Sequence, residues 1–336
     1  MSELKDFIGQ MPKAKLHMHL EGALEPSLVR LIATRNNLPV PSSIQEQDSG
    51  YSFNDLSSFL ALYYPNMAVL QTTQDFHDLA WSYLTKAHEQ KIVHAEIFFD
   101  PQAHTSRGVK FATVISGYHS ATIEAQEQFG MSASLIMCFL RDMDAQSAMN
   151  TLTEALPYKD KIIGVGLDSD ERDNPPSKFA TVFARAREEG FLLTMHCDID
   201  QKNSIEHIRQ VSEEIGVDRI DHGTNIVENA RLLNLVIERG IGLTCCPISN
   251  SVVTEDLKGA EIKRLLHDGV KVTINSDDPA YFRGYLNENL EFIGEKLSLT
   301  RTDLVQLQRN AFDIAWISHD DKSKYIAMLE EYAARH

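Results

Sequence analysis

Positive charge is in short supply in this sequence. Lysine and arginine number 32 against 48 aspartate and glutamate, giving a net charge of -16 and an isoelectric point near 5.2. That balance excludes non-specific binding to nucleic acid or to anionic membranes, which needs a basic surface. Cysteine is also scarce. Cys138, Cys197, Cys245 and Cys246 fall in or at the end of apolar runs, and none forms a Cys-x-x-Cys pair. Buried reduced thiols in a cytoplasmic protein are the expectation. No apolar run reaches the roughly 18–20 residues of a membrane-spanning helix. The opening Met1–Phe7 lacks a signal-peptide pattern. Internal repeats, low-complexity stretches and domain linkers are missing too, so residues 1–336 are read as one domain. That length suits a barrel of strands and helices, which commonly runs to ~250 residues and more.

Hydrophobic residues make up 43% of the chain, and they are strongly patterned. Eight short apolar runs stand out: Ala14–Leu20, Ile92–Phe99, Ala133–Leu140, Ile162–Leu167, Phe191–His196, Arg219–His222, Ile241–Cys246 and Val270–Asn275. Helical spacing fills most of the gaps, as in Thr73–Gln90, Phe111–Phe129 and Asn229–Arg239. Strands alternating with helices predict parallel pairing through right-handed crossovers, and a (β/α)8 barrel is the natural closure. A doubly wound open sheet is the competitor. One connection is too long for a simple crossover. About residues 25–72 hold a helix (Glu25–Asn36), a Pro/Ser-rich loop (Pro39–Ser43) and an aromatic helical stretch (Tyr51–Tyr64). An insertion after the first strand lies on the face where barrel active sites form and reads as a lid. The alternative is a helical excursion packed on the rim. The tail from about 284 to 336 reads as extra helices with a structural role.

Metal-ligand residue types sit at the ends of four of these runs. They are His17 and His19 in the first, His196 in the fifth, His222 in the sixth and Asp277-Asp278 in the eighth. Residues two apart on a strand face the same way, so His17 and His19 can reach one ion together. In a barrel the C-terminal ends of all strands surround one mouth. Three imidazoles and a carboxylate there suit zinc or a similar divalent metal, which generates a hydroxide near neutral pH. His222 is then placed to orient that hydroxide or accept its proton. Each element has a bland reading by itself, because a lone strand histidine is more often a core residue and Asp-Asp-Pro is a common turn. Their joint placement is the signal. The segment of the fourth run ends Gly166-Leu167-Asp168-Ser169, without the lysine that a binuclear site bridged by a carboxylated lysine would need, so one metal per chain is expected.

The segments Pro12–Gly22, Asp221-His222-Gly223, Thr244–Asn250 and Asn275–Pro279 resemble the signatures of the adenosine/adenine deaminase family of the amidohydrolase superfamily. Glu96–Gln102, Gly166–Ser169 and Asp278–Phe282 are similar to its adenine-deaminase-like branch. The resemblance covers nearly the whole chain. It implies zinc on His17, His19, His196 and Asp277, with His222 beside the hydroxide. It implies Asp278 on the purine N7, and Glu21, Gly22 and Ser169 at the substrate. The implied reaction is addition of hydroxide to C6 of a 6-aminopurine base, adenine or N6-substituted adenine, releasing ammonia or an amine. The implied partner is a small purine, with no nucleic acid and no membrane; homo-oligomerisation is left open.

One family feature is absent. The fifth strand of the family reads His-Ala-Gly-Glu, and its glutamate protonates a ring nitrogen. Here Ile199 follows His196-Cys197-Asp198 and precedes Asp200. Losing a general acid typically costs about 10²–10⁴-fold. Three accounts stand: Asp198 or Asp200 supplies the proton, the substrate differs, or the chain is a catalytically silent purine binder. An amide or ester hydrolase on the same barrel is a further alternative.

Overall fold

A computed structural model of the chain describes residues 2–45, 51–53, 56–197 and 203–336. Eight parallel strands form one sheet in sequence order: β1 (Lys13–Lys15), β2 (Ile92–Phe99), β3 (Ser132–Leu140), β4 (Gly164–Asp168), β5 (Leu192–Cys197), β6 (Arg219–His222), β7 (Gly242–Cys245) and β8 (Val272–Ile274). The order is that of a (β/α)8 barrel, with helices such as Thr73–Glu89 and Phe111–Phe129 between strands. Closure between β8 and β1 relies on a side chain. Asn275 Oδ1 accepts from the backbone N–H of Leu16 at 2.9 Å and of His17 at 3.1 Å. Further up, the His19 N–H donates to the Asp277 carbonyl at 3.1 Å. β1 is therefore shorter than its apolar run, and His17 and His19 lie in an extended segment beyond it, where Met18 bridges Asp277 and His19 bridges Phe98.

Two apolar layers result. The large one lies between strands and helices. The small one fills the barrel lumen with Phe98, Ile136 and Cys138, against Ile163 and Trp316. The bottom of the lumen is plugged by the segment after helix Arg301–Ile314. A Cβ at Gly164 would lie 2.6 Å from the Trp316 ring and 2.6 Å from the Leu192 carbonyl, so only glycine lets β4 approach the plug. Three C-terminal helices follow the barrel: Leu286–Leu297, Arg301–Ile314 and His319–Arg335. All four cysteines are buried, and none is in a disulfide. No described helix is long and apolar enough to cross a membrane.

After β1 the chain forms helices Pro26–Arg35, Ser42–Gln45 and Leu56–Met67. The last starts and ends later than its aromatic pattern predicts. It lies across the mouth of the barrel, where Phe59, Leu60, Tyr63 and Tyr64 line a cavity.

Candidate active site

The strand exits shape the cavity at the C-terminal face. After β2, β7 and β8, Asp100, Cys246 and Asp278 each precede a proline that opens a short helix. Their backbones share nearly one conformation, φ/ψ of -113/81, -125/77 and -108/80. Proline bars the helical region to the residue before it and pre-sets its own φ for the first helical turn. Asp100 and Asp278 are left lining the cavity. Ser169, His222 and Asp277 leave β4, β6 and the β8 exit with φ of 74°, 58° and 60°. Left-handed backbone at a residue other than glycine costs on the order of 1–3 kcal/mol. It also breaks strand alternation, so Asp221 turns into the lumen while the next residue, His222, still reaches the mouth.

Four groups converge there. Nitrogens of His17, His19 and His196 and a carboxylate oxygen of Asp277 all lie within 4.8 Å of one another. His17 Nε2 is 3.0 Å from Asp277 Oδ1, His19 Nε2 is 3.2 Å from His196 Nε2, and His19 Nε2 is 3.4 Å from Asp277 Oδ1. A tetrahedral ion with bonds of about 2.0–2.1 Å separates its ligand atoms by about 3.3 Å. The observed edges match that spacing, and two facing imidazole nitrogens have no better common partner than a cation. The donor set thus fits a divalent metal. Around it, Ser249 donates to Asp277 Oδ2 at 2.6 Å, and His19 Nδ1 stands 3.4 Å from Asp168 Oδ2. The His222 ring lies 4.8 Å from the His17 ring and 5.2 Å from the His196 ring.

Burial sets the electrostatics. It pushes His222 down to about 4, although Asp277 opposes the shift. Burial also holds His196 well below the usual histidine range, helped by His17, His19 and His222. Both rings are neutral and offer lone pairs, the form that binds metal. For Asp277, burial works upward, but His17 and His19 hold the carboxyl well below its ordinary range. Burial raises Asp278 well above it, His19 opposing and Asp277 and Asp168 adding.

The other predicted residues are distributed as follows. Asp278, Ser169 and His222 line the cavity, and Asp278 Oδ1 has no hydrogen-bond partner. Ser169 meets the Tyr64 hydroxyl at 2.7 Å. Glu21 and Gly22, expected at the base, do not line the cavity; both are buried in the wall behind it. The reason is the short 3-10 turn Glu21–Ala23, which turns Glu21 toward His104 and Tyr118, each 2.8 Å from Oε1. His104 is tied up by that contact and does not reach the cavity. Gly22 packs against Asp278 so closely that a Cβ would lie 2.6 Å from its Cα. Asp198, Ile199 and Asp200 lie outside the described residues. Sequence reasoning gave no role to Asp100 and Asp168, which line the cavity, or to Asp221, Thr194 and Thr244 in the lumen. For Asp100 and Asp168, a place at strand ends was the available signal.

The sequence profile of the adenosine deaminase family matches residues 12–332. A deaminase of Schizosaccharomyces pombe, itself uncharacterised, is 48% identical over 336 residues, covering 99% of each chain. The adenine deaminase of Acinetobacter baylyi is 45% identical, covering 97% of this chain and 98% of that protein. Among solved structures, adenine deaminase from Arthrobacter aurescens superposes with a TM-score of 0.91 at 39% identity, covering 96% of this chain and 99% of that one. An amidohydrolase from Burkholderia ambifaria, crystallised with bound zinc, superposes with a TM-score of 0.87 at 25% identity, covering 99% and 95%. Barrel, convergent donors and full-length similarity agree: the chain belongs to the adenosine deaminase family.

Proposed function

We propose that this chain is a zinc-dependent hydrolytic deaminase of a 6-aminopurine base, adenine or an N6-substituted adenine. It is a hydrolase of a C–N bond in a cyclic amidine. The observation that carries the reading is the four-donor cluster beside a cavity lined by Asp278, whose Oδ1 has no hydrogen-bond partner. His17, His19, His196 and Asp277 hold one ion. A divalent cation there supplies Lewis acidity, bringing the pKa of a water from 15.7 toward about 7. His222, neutral and within reach of the cluster, takes the proton as water adds to C6. Asp278 anchors N7, and Gly22 behind it leaves room for that carboxyl. The ring nitrogen gains a proton from Asp198 or Asp200, standing in for the family's glutamate. The proton on His222 passes to the amino group, which leaves as ammonia or an amine as the C6–N bond breaks, and the C6 hydroxyl returns a proton to the aspartate as it becomes the carbonyl. Leu56–Met67 acts as a lid, its apolar side chains covering the flat purine and excluding water.

The test is ammonia or amine release across adenine, adenosine and N6-methyl- and N6-alkyl-adenines, with metal analysis of the same sample. Turnover of a base, abolished by chelation and by His17→Ala, is the expected result. Turnover that survives both would overturn the reading. Ile199 keeps one second reading in play, a silent purine binder, which predicts tight binding with no turnover of any aminopurine.

A further inference from the structure

Asp221 sits on β6, fully buried, between two threonines. Thr244 on β7 donates its hydroxyl to Asp221 Oδ1 at 2.8 Å, and Thr194 on β5 donates to Oδ2 at 2.7 Å. A hydroxyl has one proton, and Thr244 has spent its own on the carboxylate. Its oxygen can therefore only accept at its 2.9 Å contact with His17 Nδ1. The ring must be the donor there, so Nδ1 carries a proton. Nε2 is then the nitrogen left to give a lone pair to a cation, and Nε2 is the atom facing Asp277. The same carboxylate stands 3.6 Å from His196 Nδ1, a buried nitrogen without a hydrogen-bond partner.

We propose that Asp221 is a positioning residue: acting through Thr244, it fixes His17 with its proton on Nδ1, and it stands ready to do the same directly for His196. One carboxylate on β6 thus sets the ligand nitrogens contributed by β1 and β5. The inference rests on the reading above, in which both histidines hold a divalent cation. Partners of this kind beyond the ligands typically control metal affinity by 10–100-fold. Valine at position 244 keeps the shape of threonine and removes the relay, while serine keeps the relay and removes only a methyl group.

Zinc affinity is measured by competition with a chromogenic chelator for the wild type, Thr244→Val and Thr244→Ser, alongside melting of the metal-free proteins. The expected result is a zinc affinity weakened about 10–100-fold in Thr244→Val and near wild type in Thr244→Ser, with similar metal-free melting. Equal affinity in Thr244→Val and the wild type would overturn the proposal. Should Thr244→Val fail to fold, Asp221→Asn is judged by the same comparison. Nitrogen-15 NMR of histidine-labelled wild-type protein decides independently, because a His17 Nδ1 without a proton defeats the relay. If the wild type binds no zinc and His17→Ala changes nothing, the metal reading fails, and the nitrogen spectrum still judges the relay.

Discussion

A single hydrogen atom at position 22 holds Asp278 where it is. In Gly22→Ala the new Cβ would come within 2.6 Å of the Cα and Cβ of Asp278, and the carboxyl must move. Overpacking of this kind costs about 1–3 kcal/mol of stability. The effect on catalysis is expected to be larger, because a shift of about 1 Å in a positioning group costs on the order of 10²-fold. Melting and steady-state kinetics on adenine check this; a normal kcat/KM would mean that Asp278 does not anchor the base. Ile199 offers the complementary experiment. Ile199→Glu restores the family's acid and is expected to raise adenine deamination. An unchanged rate would show that a neighbouring carboxyl already supplies the proton. At this scale the sequence was legible where strand-end position and residue type coincide, as for His17, His19, His196 and Asp277. It was not legible where backbone conformation decides. The left-handed φ of His222 and the 3-10 turn at Glu21 place those side chains, and neither leaves a mark in residue spacing.

Elements were read more surely than their ends. Each apolar run contains or overlaps one of the eight strands, because strands buried on both faces are mostly apolar, although β1 (Lys-Ala-Lys) and β6 (Arg-Ile-Asp-His) bury polar side chains. The first run overshoots its strand, since the closure beyond Lys15 is made first by the Asn275 side chain and then by the isolated Met18–Asp277 bridge, not by a continuous ladder. The N-terminal helix Ser2–Gln10 went unpredicted. The insertion helix Leu56–Met67 is tied at its C-terminal end by Arg107, which donates to the carbonyls of Met67 at 3.2 Å, Ala68 at 3.3 Å and Leu70. No periodicity forecasts an arginine 40 residues away as the anchor. Arg107→Ala frees those carbonyls and is expected to cost about 1.5–3 kcal/mol locally. With the helix loosened over the mouth, KM for the base should rise several-fold while kcat changes less. Equal KM values in the variant and wild type would show that the helix needs no such tether.

Across the whole barrel, one ion pair joins strands on opposite sides. Glu96 on β2 and Arg219 on β6 meet in the lumen, both fully buried, four strands apart in an eight-stranded ring. His94 Nε2 lies 3.1 Å from Glu96 Oε1, the Trp316 N–H donates to the same oxygen, and the guanidinium lies 4.2 Å over the Trp316 ring. The pair therefore ties opposite walls to the plug at the bottom. Burial alone would raise the Glu96 carboxyl, but Arg219 and then His94 bring it from 4.5 down to about 2. A carboxyl whose folded pKa is lower than its unfolded one stabilises fully above the unfolded value. That contribution drains away as pH falls toward the folded value. Glu96→Gln removes the nearer carboxylate from buried Arg219, leaving it Asp221 Oδ1 at 4.0 Å from Nε, and is expected to cost about 3–5 kcal/mol at neutral pH. The stability gap between wild type and Glu96→Gln should hold steady above pH 4.5. Below it, the gap should shrink by about 1.4 kcal/mol per pH unit as the wild type loses its advantage. Urea unfolding of both proteins from about pH 6 to about pH 3.5 measures this. A gap that stays constant across that range would mean that the charge on Glu96 does not hold the two walls together.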